Sequence, residues 1–198
     1  MTGVGQEEWT LSGRREQVIE VVRRRGLRRF DEPVELSSGE LSHDFVDGKA
    51  ALAHGDDLDL ACRALLDELG SIEFDAVGGL TMGADQFADV IAVLAHRDWF
   101  VVRKAPKGRG TDRLVEGADI GPGRRVLLVD DAVTTGGSIR QAHDVVTERG
   151  AEVVAACTLV DRGEVARRFF AGLGIPYVPL VTYDDLGIQP VGEGVVGR

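Results

Sequence analysis

From Asp56 to Leu69 the apolar positions Leu58, Ala61, Cys62, Leu65, Leu66 and Leu69 recur at helical spacings. This pattern predicts a helix with one buried face, closed by Gly70. A second helix is predicted over 13–25, with Val18, Ile19, Val21 and Val22 as its stripe, arginines on the solvated side and Gly26 as C-cap. Helical spacing returns over 84–94, 137–149 and 164–171. Between these segments stand apolar runs of strand length at 74–80, 99–103, 125–130, 152–160 and 177–181. The run RVLLVD at 125–130 has the continuous apolar pattern of a strand buried on both faces of a parallel sheet. Elsewhere the pattern is weaker. Residues 1–12 predict a frayed start, Asp31-Glu32-Pro33 a turn, 34–47 short strands around a turn, and 104–116 a polar, glycine-containing loop. Strands alternating with helices imply right-handed crossovers and an open, mostly parallel α/β sheet.

Composition narrows the picture. The chain has 198 residues with 33 acidic against 23 basic side chains, a formal net charge of −10. The length suits a single domain with a sizeable core. Such acidity argues against a generic duplex-binding surface, which needs a basic face to displace counterions. The charge is uneven: residues 1–29 hold seven arginines against four glutamates, so this block alone is basic. It is short for a winged-helix reader, and a solvated amphipathic helix accounts for it better. No apolar run approaches the roughly 18 residues needed to cross a bilayer, and no secretory leader is expected. Cys62 and Cys157 sit in apolar stretches without disulfide or zinc spacing. Buried free thiols in a reducing, cytoplasmic setting are therefore expected. His43, His54, His96 and His143 show no metal-ligand spacing, and the pairs Asp56-Asp57 and Asp184-Asp185 read as a helix start and a solvated turn.

The chemistry concentrates after the strand at 125–130. Asp130 and Asp131 lead into Ala132-Val133-Thr134-Thr135-Gly136-Gly137-Ser138, where a helix begins. Glycines let a backbone approach an anion, successive N–H groups can point inward, and the helix dipole adds partial positive charge. The hydroxyls of Thr134, Thr135 and Ser138 can donate as well. No lysine follows the glycines, so this is not a Walker A loop. The adjacent carboxylates would repel phosphate, but they suit ribose hydroxyls or a bridging Mg²⁺. In open α/β sheets, ligands bind beyond the carboxyl ends of the strands, where this segment falls.

The stretch DDAVTTGGS resembles the phosphoribosyl-pyrophosphate (PRPP) signature of type I phosphoribosyltransferases. Across roughly 15–187 the chain is most similar to the orotate phosphoribosyltransferase family. The resemblance implies that fold, an open mostly parallel sheet flanked by helices, with a small N-terminal hood. As a single domain it would divide into a helix and base-covering hood (1–50), a PRPP-binding core (51–187) and a tail (188–198). LSSGELSHDFVDGK (36–49) resembles the segment over the base and implies that Phe45 and Val46 lie against the orotate ring. VGGLTMGAD (77–85), with Thr81 and Met82, resembles the pyrophosphate loop. FVVRKAPKGRGTDRLVEG (100–117) resembles the mobile catalytic loop and implies a cationic lid of Arg103, Lys104, Lys107 and Arg109. Such a lid would stabilise charge growing on the departing pyrophosphate and exclude water. LVDRGE (159–164) implies Arg162 as the fork for orotate's carboxylate.

PRPP binding would thus fall to Arg103, Lys104, Lys107 and Arg109, to Thr81 and Met82, and to Asp130 through Ser138. Orotate binding would fall to Phe45, Val46, Thr134 and Arg162. Lys107, Asp130 and Asp131 are the catalytic candidates, and Lys107 leads them. Mg²⁺ would arrive mainly on PRPP, with no metal site built by the protein. The resemblance also implies a homodimer whose lid reaches the neighbouring site, with neither nucleic acid nor membrane as partner. Three positions depart from the family. Arg109 stands where a loop histidine is usual, which keeps a cation but removes a titratable imidazole. Met82 and Ser37 stand where some members carry a lysine. Two other functions fit the PRPP signature: transfer to a purine or another pyrimidine, and a non-catalytic PRPP-sensing regulator.

Overall fold

The computed structural model describes residues 11–36, 38–105 and 114–192. The chain opens with α1 (Leu11–Val21), which runs into a π-helical turn at Val22–Gly26. A two-stranded antiparallel hood follows, β1 (Leu27–Glu35) against β2 (Leu41–Val46). Next come α2 (Gly48–Ala51), α3 (Gly55–Leu69), β3 (Ala76–Leu80), α4 (Asp85–Ala95), β4 (Asp98–Val102) and β5 (Val115–Gly117). The chain continues through β6 (Arg125–Val133), α5 (Gly137–Glu148), β7 (Glu152–Asp161), α6 (Val165–Leu173), β8 (Tyr177–Thr182) and α7 (Tyr183–Leu186).

Six strands form the main sheet in the order β5-β4-β3-β6-β7-β8, parallel except for β5 at the edge. The chain builds outward from β3 to β4, then crosses back to place β6 on the other flank of β3. The strand order therefore reverses between β3 and β6, and a crevice opens at their carboxyl ends. Along β6 the side chains alternate between two cores, as a doubly covered strand requires. Leu127 and Val129 join the layer under α1, α3 and α4, whereas Val126 and Leu128 join the layer under α5 and α6. The apolar runs thus work as expected.

The strands of the core approach closely. A Cβ at Gly78 of β3 would fall well inside van der Waals contact of the Phe100 carbonyl oxygen, and also 2.7 Å from that residue's ring. The expected boundaries shift at several places. The first helix ends at Val21, and Gly26 does not cap it in a left-handed conformation. Gly26 instead permits close approach, since a Cβ there would meet Asp47 O at 2.9 Å and Ala51 Cβ at 3.0 Å. The expected turn at Asp31-Glu32-Pro33 is a register break inside β1, between Arg29 and Val34. β5 was hidden within a stretch read as loop, because three residues are too few to show a period. His96 follows α4 as its C-cap, in the left-handed conformation. Asp184-Asp185 is not a solvated turn: it begins α7, where Thr182 and Asp185 form a reciprocal capping box.

Four arginines of the basic N-terminal block make ion pairs within the fold. Arg14 pairs with Asp67, Arg15 with Asp185 at 2.6 Å, Arg25 with Asp57 at 2.9 Å and Arg29 with Asp44 at 3.1 Å. The first two pairs tie α1 to α3 and α7, the third ties the π-helical turn to α3, and the last joins the two hood strands to each other. Cys62 and Cys157 are buried free thiols, and burial pushes Cys62 up to about 12. No helix among the described residues is long and apolar enough to cross a membrane.

Gly78→Ala is expected to destabilise the fold by about 3 kcal/mol, because two strand backbones must separate to admit the methyl group. Urea unfolding of the variant beside the wild type measures this.

Candidate active site

The crevice between β3 and β6 gathers its residues from three directions. β6 ends in Asp130–Val133, and the chain turns through Thr134-Thr135-Gly136 into α5. Gly136 sits at φ 73, the left-handed conformation that glycine adopts without strain, and no side chain caps α5. The first-turn N–H groups are thereby left available to a ligand. Asp130, Ala132, Val133, Thr134, Thr135, Gly136, Gly137 and Ser138 line a cavity of about 260 Å³. The residues expected to form an anion cradle thus share one cavity.

The two carboxylates stand at its mouth in different surroundings. Asp130 is only 4% exposed, and its Oδ1 accepts the Asp131 N–H at 3.0 Å. Burial and the neighbouring charge of Asp131 push Asp130 up to about 7, against the opposing pull of that N–H and of Lys49. Asp131 accepts the Ala132 N–H at 2.8 Å and a hydrogen bond from Lys49 Nζ at 2.5 Å. Burial works against the Lys49 ammonium, but its bond to Asp131 and the charges of Asp131, Asp130 and Asp47 prevail and raise its pKa. From β3, Gly83 closes against the same pair: a Cβ there would press on Asp130 Oδ1 and stand 2.9 Å from Asp131 Oδ1.

A second cavity, of about 290 Å³, adjoins the first and shares Asp131's neighbours Ala132 and Thr134 with it. Leu36, Phe45, Val46, Asp47, Gly48, Lys49 and Asp131 form the rest of its wall, with Arg162. Arg162 is 1% exposed, so it is no surface arginine at a strand end. Its Nη2 donates to Asp44 O at 3.2 Å, and its Nε has no hydrogen-bond partner. Burial lowers its pKa while Asp44 opposes the shift, and a guanidinium remains charged regardless. A buried cation lining this cavity, without a carboxylate partner of its own among the described residues, favours a small anion there.

Not every candidate converges. Thr81 donates to Asp85 at 2.8 Å, and Met82 is 71% exposed; both stand at the end of β3 beside Gly83, outside the two cavities. Arg103 turns to Glu116 on β5 at 3.0 Å, and Lys104 is exposed, its carbonyl accepting from Gln141 at 3.3 Å. Neither lines the cradle. Lys107, Arg109 and Ser37 lie outside the described residues. His43 is exposed and contacts Phe30 O, away from the cavity. Lys49 is a functional side chain that no local motif marks. Its signal was its place at the end of the base-covering segment, but only folding brings it across 82 positions to Asp131. A larger opening of about 450 Å³ lies along the outer side of α1 among Glu16, Glu20 and Arg24, with no converging buried donors. Among the described residues no three His, Cys, Asp or Glu side chains gather to hold a metal ion.

A glycine turn opening a helix, an acid pair and a buried guanidinium thus meet in two adjoining cavities at one switch point. The model of the phosphoribosyl transferase domain family matches residues 57–168, from α3 through the cradle into α6. The chain is 45% identical over 162 residues to orotate phosphoribosyltransferase of Streptomyces avermitilis, covering 79% of this chain and 88% of that one. It is 39% identical to the Aquifex aeolicus orotate phosphoribosyltransferase, covering 87% and 97%. The crystal structure of Mycobacterium tuberculosis orotate phosphoribosyltransferase in complex with 5-phospho-α-D-ribosyl 1-diphosphate superposes with a TM-score of 0.72 at 35% identity, covering 88% and 99%. The chain belongs to the phosphoribosyltransferases and, among them, to the orotate phosphoribosyltransferase family.

The raised Asp130 value has a consequence for stability. Below the ordinary value of 3.8 the group is protonated whether folded or unfolded. As pH rises from there to about 7, the unfolded chain releases its proton more readily, so folding loses stability. Asp130→Asn removes that penalty. Its stability relative to wild type is expected to be greater at pH 8 than at pH 4, as read from denaturant midpoints.

Proposed function

We propose that the protein transfers the 5-phosphoribosyl group of PRPP to orotate, giving orotidine 5′-monophosphate and pyrophosphate, in pyrimidine nucleotide synthesis. The observation that carries this is Arg162: a buried guanidinium with an unused Nε, in a cavity that shares Ala132 and Thr134 with the anion cradle. A base bearing a carboxylate satisfies that cation. A purine without a carboxylate would leave it buried and unpaired, at a cost of several kcal/mol by order of magnitude.

Each role follows from local chemistry. The N–H groups and hydroxyls from Thr134 to Ser138 hold the 5-phosphate. Asp130 and Asp131 take the ribose hydroxyls and handle a proton, with Lys49 offsetting their charge. Phe45 and Val46 lie against the orotate ring while Arg162 grips its carboxylate. The base nitrogen bonds to the anomeric carbon as the bond from that carbon to the pyrophosphate oxygen breaks. Negative charge grows on the leaving group, and Arg103, Lys104, Lys107 and Arg109 meet it, beside Thr81 and Met82. Arg103 and Lys104 lie away from the cradle of their own chain, which supports a homodimer in which the loop serves the neighbouring site. Bound Mg²⁺ neutralises pyrophosphate charge. The acid pair, already engaged by Lys49 and backbone N–H groups, leaves the pyrophosphate's own oxygens as its main ligands.

Loss of orotate absorbance on mixing enzyme, PRPP and Mg²⁺ is the expected result. Turnover of hypoxanthine or adenine with orotate inert would overturn it. Arg162→Ala is expected to raise the orotate KM about 100-fold while leaving the PRPP KM nearly unchanged, as two hydrogen bonds to a charged group would imply. Lys107→Ala is expected to lower kcat far more than PRPP affinity, measured by steady-state kinetics beside equilibrium binding.

A further inference from the structure

The stretch after α7, expected as a tail, is packed against Arg162 and Gly163, with Ile188 and Val191 buried. The Val191 N–H donates to Arg162 O at 2.8 Å, and the Arg162 N–H donates to Val133 O at 2.8 Å. Arg162 is therefore clamped through its backbone on both sides, between the end of β6 and this returning segment. The fit is tight. A Cβ at Gly163 would collide with Val191 O, and one at Gly192 would come within 2.6 Å of Thr134 O, at a backbone φ of +95.

The returning segment is itself held from the hood. The Gly192 N–H donates to Glu40 Oε2 at 2.5 Å, across 152 positions of sequence. Glu40 also accepts the Leu36 N–H at its carbonyl at 2.8 Å, folding the turn whose Leu36 lines the base cavity. On the other side, Arg162 Nη2 reaches back to the hood at Asp44 O. Leu36, Glu40, Gly192, Val191, Arg162 and Asp44 thus close a ring of contacts around the base cavity. The Glu40 carboxylate is the side chain that joins the hood turn to the returning segment.

We propose that Glu40 is a positioning residue for base recognition, acting through the Val191–Gly192 backbone to hold Arg162 at the depth where its guanidinium meets the base. This rests on the reading of Arg162 as the site's base-binding cation. Without the carboxylate, the returning segment loses its tie to the hood, and Arg162 loses one side of its backbone clamp. Arg162 and the segment meet the cradle at the backbone oxygens of Val133 and Thr134, whereas the N–H groups at the start of α5 lie beyond that contact, so the effect falls mainly on the base side.

The test is steady-state kinetics of Glu40→Ala and Glu40→Gln beside the wild type, with orotate and PRPP varied separately and thermal unfolding recorded. Glu40→Ala is expected to raise the orotate KM about ten-fold, the size of one lost hydrogen bond to a charged group. Its kcat should stay within about two-fold, with the PRPP KM unchanged. Glu40→Gln keeps an acceptor oxygen and should recover most of the loss. An unchanged orotate KM in Glu40→Ala overturns the proposal. So does a parallel worsening of kcat and both KM values with a lowered melting temperature, which would mark general loosening. A wild type that fails to turn over orotate removes the underlying functional reading. A wild type that turns it over beside an indistinguishable Glu40→Ala removes the brace alone.

Discussion

Two adjacent carboxylates at the end of β6 set the terms on which the rest of the site is built. Taking Asp130 out of water beside a second charge is unfavourable, and its raised pKa is the direct expression of that cost. The pair persists because other groups answer it: the N–H of Asp131, the N–H of Ala132 and the ammonium of Lys49. Each of these answers requires a particular piece of fold. The N–H groups require β6 to end here, Lys49 requires the hood to dock on the core, and Gly83 requires β3 to reach its own end alongside. A cleft with carboxylates and an open helix N-terminus is then the result of one strand-order reversal.

The same locality explains how an acidic molecule accommodates an anionic ligand. A net charge of −10 opposes a broad anion-binding surface, yet the proposed cradle would rely on backbone dipoles and hydroxyls rather than on basic side chains. The excess arginines near the N-terminus do not gather into a patch either. Four of them form single pairs: Arg14 with Asp67 and Arg15 with Asp185 dock α1, Arg25 with Asp57 docks the π-helical turn, and Arg29 with Asp44 joins the hood strands. Surface pairs of this kind contribute little each. Their value here is in placement, since the α1 and π-turn segment they anchor leads directly into the hood that carries Phe45 and Val46.

The main sheet was legible because its strands are continuous apolar runs and its helices carry clear stripes, so each is specified by residues close in sequence. DDAVTTGGS was legible for the same reason: strand end, glycine turn and helix start are one contiguous segment. Illegible elements are short or depend on distant partners. β5 spans three residues, the break inside β1 looks like a turn, and Gly26 looks like a cap until Asp47 and Ala51 are seen against it.

Local pattern alone determined the α/β class, the buried parallel core and the anion cradle, because periodicity and backbone conformation are properties of neighbouring residues. Only the tertiary structure decided that Arg162 is buried, that Lys49 meets Asp131 and that Glu40 holds Gly192. Those contacts span 118, 82 and 152 positions and exist only once the hood closes on the sheet. Charge and burial depend on what packs around a side chain, and no local pattern carries that information.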